Sequence, residues 1–369
     1  MKPKVLFLTQ TPPPVHGASI MGQVLKDSKH INQAFDCYFI NPSNTKTLTK
    51  LKKIRTRNVL FLFVFLYRVI KAYRKLKPDL CYFTPYSWGF PFYRDFISLC
   101  VLKLMKANII IHFHNKPNLT FRYKWYNQQL YRIFFKNVDV IFLAPQLITF
   151  FEEFIDKENI HICANGLSIK PVEQKRSNEK YRFLFLSNMM EEKGVWILLE
   201  ACSILKQKGY VFDCHLVGQC NDITEPMLSW RVKQYNLADC IHYCGAKYGD
   251  EKNISFQSAD AFVFPSFDEA LSLVVLEAMA FALPCISTLV GGLPSIVHDE
   301  QTGFLIPPRD SFALAEKMIY LLEHPQIGVE MGKCGQAVFK ENFTIEKFEE
   351  RFAGIIQKML LQTTKNIQN

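Results

Sequence analysis

Short apolar runs alternate along almost the whole chain with longer stretches of three-to-four-residue periodicity. Residues 4–9 form one such run, ended by prolines at 12–14, and predict a buried strand entering a loop. Runs at 36–40, 80–83, 109–113 and 138–143 predict further strands, with helical patterns near 20–29, 59–77, 92–106 and 121–136. His161 to Gly166 closes this series. Residues 170–180, polar with Pro171 and four Lys or Arg, read as a linker. A second series follows. Strands are expected at 182–186, 212–217, 241–243, 261–264, 285–287 and 303–306, and helices at 194–207, 225–236, 252–258, 272–282, 310–323 and 328–340. A last helix over 344–361 takes Thr344 as its N-cap.

Strands alternating with helices predict crossover units and parallel sheets. The fold class is therefore α/β, with two Rossmann-like doubly wound domains. The expected division is 1–170 and 171–343, with a C-terminal helix at 344–369 packing back on the first domain. Such domains bind ligands at the carboxyl ends of their strands, so a cleft between them is the expected site.

Composition narrows the classes. The chain has 369 residues, 49% hydrophobic and 21% charged, which suits two packed domains and excludes a disordered chain. Eleven scattered cysteines form no CxxC pair, and no secretory leader is recognisable, so reduced, mostly buried thiols of a cytoplasmic protein are expected. Charge is uneven. Residues 1–180 hold 28 Lys and Arg against 11 Asp and Glu, a balance of +17; the rest holds 16 against 23, a balance of −7, and the two give the net +10. A basic half attracts anions: nucleic acid, an anionic membrane face or phosphorylated substrates. Much of the excess lies between Lys46 and Lys77, where it flanks the apolar run at 59–67. That run is too short to span a bilayer. It reads either as a buried helix or as a basic, aromatic helix lying on a membrane surface. No zinc-finger, RNP or helix-turn-helix signature accompanies the charge, so nucleic acid is not an expected partner.

The candidate chemistry lies mostly in the second half. Between Ala270 and Leu283 the one charged residue is Glu277, on a stretch that predicts a buried helix capped by Ser272 and stopped before Pro284. A buried carboxylate needs donors. A structural partner or a ligand diol would serve equally. Glu269 precedes it by eight residues, and free amides at 271–274 would favour an anion. Lys193-Gly194 opens the helix after the first strand of this half, where βα turns hold phosphates. It reads as a solvated helix start or as the cation for a diphosphate. Gly291 to Val297, followed by Thr302 to Pro308, is a third candidate signal, the second piece reading as tight turns and strand punctuation. No two Asp stand one residue apart, and no cluster has metal-ligand spacing, so no metal is expected.

The ordered set Lys193-Gly194, Glu269 with Glu277, Gly291-Gly292-x-Pro294 and Thr302-Gly303 with Pro307-Pro308 resembles the retaining family-4 glycosyltransferases of bacteria. The resemblance implies the GT-B architecture. It also implies a nucleotide-diphosphate sugar, a substrate rather than a cofactor, held by the C-terminal domain, and an acceptor held by the N-terminal one. It gives Glu277 the nucleotide ribose, Lys193 the diphosphate, and Glu269 a place beside the donor sugar. Ala270 and the amides around Leu271, Ser272 and Leu273 would meet sugar hydroxyls and β-phosphate. His114 would stand opposite the sugar, with His112 deeper in the strand. Gly17 would let the backbone approach a phosphate. The family's usual Arg is Asn188 here, which removes one positive charge from the donor site, and Ser295 stands where Glu is usual. A lipid-linked or polysaccharide acceptor at the inner membrane suits the basic, Phe-rich first domain. Two other classes remain open: a nucleotide-sugar-binding protein without transfer activity, and a basic nucleic-acid-binding protein.

Overall fold

A computed structural model describes residues 2–13, 16–42, 56–169 and 179–368. It divides into two compact units, Met1–Gly166 with Ile345–Asn369, and Leu167–Thr344. The expected linker lies outside the described residues except for 179 and 180, as do residues 46–55 of the basic stretch.

The first unit is built on strands β1 (Lys4–Leu8), β2 (Asp36–Ile40), β3 (Leu80–Phe83), β4 (Ile109–His112), β5 (Asp139–Phe142) and β6 (Ile160–Ile162), all parallel, in the order β2-β1-β3-β4-β5-β6. The central strands are buried at every position. That is why they read as continuous apolar runs rather than alternations: helices cover both faces of a parallel sheet. The helices are α1 (Gly17–Asp27), α2 (Lys29–Ala34), α3 (Thr56–Leu76), α4 (Gly89–Leu104), α5 (Leu119–Arg122) and α6 (Trp125–Phe135). The single helix expected over 20–29 breaks at Ser28, whose hydroxyl accepts from the Ile31 amide at 3.0 Å and starts α2.

The second unit repeats the plan with β7 (Arg182–Leu186), β8 (Asp213–Val217), β9 (Ile241–Tyr243), β10 (Ala261–Phe264), β11 (Cys285–Thr288) and β12 (Gly303–Ile306), in the order β12-β11-β10-β7-β8-β9. Its helices are α7 (Val195–Gln207), α8 (Glu225–Gln234), α9 (Gly249–Gln257), α10 (Leu273–Ala280), α11 (Ser311–Glu323) and α12 (Pro325–Asn342). The final helix, α13 (Ile345–Gln368), returns to the first unit. Phe348, Phe352, Ile356 and Met359 enter that unit's core, and the Phe352 ring stands 5.1 Å from Tyr82 and 6.2 Å from Phe7. The C-terminal segment is thus a core element of the first unit, fixed by burial of its apolar stripe.

Candidate active site

In the second sheet the chain leaves β7 in one direction for β8 and β9, then crosses back to β10 on the other side of β7. The loops after β7 and β10 therefore diverge at a topological switch point, the place where doubly wound sheets open a crevice. Both loops carry residues singled out from the sequence.

The loop after β7 ends in a 3-10 turn, Glu191–Lys193, and Gly194. Gly194 has φ +81°, and a side-chain carbon there would lie 2.1 Å from the Pro265 carbonyl oxygen, so only glycine fits. Close approach of the two loops follows. The Ser266 hydroxyl and the Phe267 amide both donate to the Glu192 carbonyl at 3.0 Å. Lys193 Nζ donates to Glu269 Oε1 at 2.8 Å and to the Asp268 carbonyl at 3.3 Å, and Glu192 Oε1 lies 4.0 Å away. Burial works against the ammonium, but Glu269, Glu192 and Asp268 outweigh it and raise its pKa. Lys193 stays charged among an excess of carboxylates.

The Glu269 loop is fixed from a third side. The Gly292 amide donates to the Ala270 carbonyl at 2.8 Å. Gly291 has φ +55°, and a side-chain carbon on it would stand 1.8 Å from the Glu269 carbonyl oxygen. Gly291→Ala should therefore push the Glu269 loop aside and cost about 2 kcal/mol or more, since the left-handed strain alone is about 1–2 kcal/mol. Thermal unfolding checks this; an unchanged midpoint would show that the contact is dispensable.

Ser272 is the N-cap of α10 in extended conformation, but its side chain makes no capping bond, contrary to the expectation that it caps the helix. The Ser272 side chain thus leaves the first-turn amides, including that of Leu273, able to meet an anion. Ala270, Leu271 and Ser272 are buried. Glu277 sits on the second turn of α10. Its Oε1 accepts from Lys252 Nζ, on α9, at 2.5 Å. Its Oε2 is buried and has no hydrogen-bond partner among the described residues. Burial raises the carboxyl's pKa, and the Lys252 charge only partly opposes it. Of the two sequence readings, a structural partner holds one oxygen while the other is left for something else.

In the first unit, β1 and β3 flank the corresponding switch point. His112 is fully buried, with Nδ1 2.9 Å from the Tyr82 hydroxyl. The His114 ring lies 4.1 Å from it, more open, with Nδ1 buried and without a hydrogen-bond partner among the described residues. Burial and then neighbouring His16 lower the His114 pKa to about 3; burial and His114 push His112 down as well. His16 caps α1: its Nδ1 accepts from the Ser19 amide at 3.4 Å and the Ser19 hydroxyl accepts from the His16 amide at 3.0 Å. Gly17 is the first residue of α1. Further along α1, Gly22 makes a close backbone approach: a side-chain carbon there would lie 1.9 Å from the Gln10 carbonyl oxygen.

These histidines stay neutral in the fold but take protons once unfolded. Stability is complete above their unfolded pKa near 6.5 and falls as pH drops toward the folded value. At pH 5 His114 should cost about 2 kcal/mol. Urea unfolding at pH 7 and pH 5, with His114→Gln as comparison, measures this. A variant with the same acid slope as the wild type would refute it.

Asn188 is exposed in the turn after β7 and brings no charge to the site. The sequence reading missed Lys252, because nothing in the polar helix α9 marks it as the partner of a distant glutamate. Gly291 and Gly292 stand out in the sequence, but not for the part they play in holding the Glu269 loop.

Solved glycosyltransferases share this architecture. A glycosyltransferase from Rickettsia africae matches with a TM-score of 0.76 at 19% identity, covering 97% of this chain and 99% of that one. Anabaena HepE, solved in complex with UDP, matches at 0.73 and 15% identity, covering 96% and 100%. The fold is that of the GT-B glycosyltransferases. Residues 169–338 match the family Glycosyl transferases group 1. The amylovoran biosynthesis glycosyltransferase AmsK of Erwinia amylovora is 28% identical over 211 residues, 55% of this chain and 51% of that protein. The trehalose synthase of Thermococcus litoralis is 37% identical over 171 residues, 44% of this chain and 41% of that protein. The chain spans about half the length of the curated relatives it matches.

Proposed function

We propose that this chain is a retaining, metal-independent glycosyltransferase that moves a hexose from a nucleotide-diphosphate sugar to a lipid-linked or polysaccharide acceptor. The observation that carries the reading is Glu277: one oxygen fixed by Lys252, the other buried and free, on a helix fed by the loop that Lys193 grips. A ribose diol would supply the missing donors. The diphosphate would take Lys193 and the uncapped amides of α10.

Sugar transfer breaks the anomeric C–O bond and leaves negative charge on the departing diphosphate. A charged Lys193, held in place before the substrate arrives, stabilises that charge without reorganisation. Glu269 orients the ammonium and stands where the donor sugar would lie. Asn188 contributes only a neutral bond where an Arg would add a charged one, a difference of about 1–1.5 kcal/mol. His114, with a free ring nitrogen, is the hydroxyl-binding candidate of the first unit. HepE of Anabaena has also been solved with UDP-glucose, a donor of this class. AmsK is named for amylovoran biosynthesis, which favours a glycan acceptor. We place the enzyme in the cytoplasm, at the inner membrane face.

Nucleoside-diphosphate release from UDP-, GDP- and ADP-sugars, with and without lipid-linked and glycan acceptors, tests the reading. Acceptor-dependent release from one donor is expected. Tight donor binding with no turnover on any acceptor would make the chain a nucleotide-sugar-binding protein instead.

A further inference from the structure

Helix α3 is apolar on two opposite sides. Phe65 and Val69 face the core and are fully buried. Leu60, Phe63, Val64 and Tyr67, spaced i, i+3, i+4 and i+7, share the opposite side and are exposed, Phe63 to 64%. One turn further along the same stripe lie Lys71, Arg74 and Lys75, also exposed, and Lys71 Nζ stands 5.9 Å from the Tyr67 ring centroid. Helix α4 packs against both α3 and α6. Its outer side shows Phe90, Ile97 and Leu104 at seven-residue spacing, Leu104 being 84% exposed. The outer side of α6 alternates Trp125, 75% exposed, and Ile133 with Arg132 and Lys136. Three contacting helices thus present large apolar side chains among cations.

Along the sequence of these helices the exposed charge is of one sign, although the exposed Glu152 and Glu153 lie on a turn packed against α6, where Glu153 pairs with Arg122. No Asp or Glu occurs between Asp36 and Asp79, and none between Asp95 and Asp139; Asp95 itself is buried against Arg94 at 2.7 Å. Exposed apolar surface of this extent on a basic face marks an interaction site. Aliphatic Leu60, Val64, Ile97, Leu104 and Ile133 offer nothing to a phosphate backbone or a base stack, whereas acyl chains accept them. We propose that the outer faces of α3, α4 and α6 dock on an anionic lipid bilayer. The apolar side chains enter the headgroup–acyl boundary, and the lysines and arginines meet lipid phosphates. Among the described residues no helix is long and apolar enough to cross a membrane, so the contact is interfacial.

The full chain is sedimented with vesicles of phosphatidylcholine alone or mixed with phosphatidylglycerol, at low and high salt. Strong binding to the mixed vesicles at low salt is expected. Lys71→Ala/Arg74→Ala/Lys75→Ala should weaken it about a hundredfold at low salt, from about 1 kcal/mol per cation. Phe63→Ser/Tyr67→Ser should weaken it about tenfold at either salt. Both variants change exposed side chains and should keep the wild-type unfolding midpoint. Equal binding to neutral and anionic vesicles, indifference to both sets of substitutions, or preference for a DNA oligomer in direct competition overturns the proposal. It does not rest on the donor reading: a chain that bound no nucleotide sugar would still sediment with the vesicles.

Discussion

Lys193→Ala should lower kcat by about 10²–10³, with a much smaller change in KM, because a preorganised donor on developing charge is worth that much. Its place among Glu269, Glu192 and Asp268 makes the loss worse than a simple deletion. Without the ammonium, these carboxylates would face the leaving diphosphate unscreened. Lys193→Arg keeps the charge but spreads it over a planar fork, so it should recover part of kcat and not all. Steady-state kinetics on the accepted donor decide the matter. A KM effect with unchanged kcat would mean that Lys193 only binds the ground state.

Glu277→Ala should weaken nucleotide binding about 10–100-fold, the value of roughly 1.5–3 kcal/mol for hydrogen bonds to a charged group. The expected partner is a ribose hydroxyl, so a deoxyribose analogue should lose affinity for the wild type and none for the variant. This pairing of analogue and variant separates direct contact from a structural effect, since Lys252 also loses its partner at 2.5 Å. Equal discrimination by both proteins would place the ribose elsewhere.

Most strands were legible because parallel strands buried on both faces must be uniformly apolar. Runs such as residues 80–83 and 261–264 leave no other reading. Strand β6, Ile160–Ile162 at the edge of the first sheet, was not legible as a strand; His161 to Gly166 reads only as the close of the first series. Within the site, Glu277 was legible because a lone charge in a buried helix demands a partner. Lys252 was not, because a surface-type lysine on a polar helix looks like any other until the fold brings α9 beside α10. The role of Gly291 was hidden for a similar reason: its φ and its approach to the Glu269 carbonyl arise from strand β11 crossing to meet the loop. The run at 59–67 supported a buried helix and a surface helix together, and α3 takes elements of both, with one apolar side in the core and the other exposed.

The most direct measurement is thermal unfolding of the wild type and Glu277→Ala against UDP-, GDP- and ADP-sugars at saturating concentration. One donor should raise the wild-type midpoint, since a ligand at 100 times its Kd adds about 2.7 kcal/mol, and leave the variant nearly unmoved. Stabilisation of both proteins alike, or of neither by any donor, would contradict the assignment of this crevice to an activated sugar.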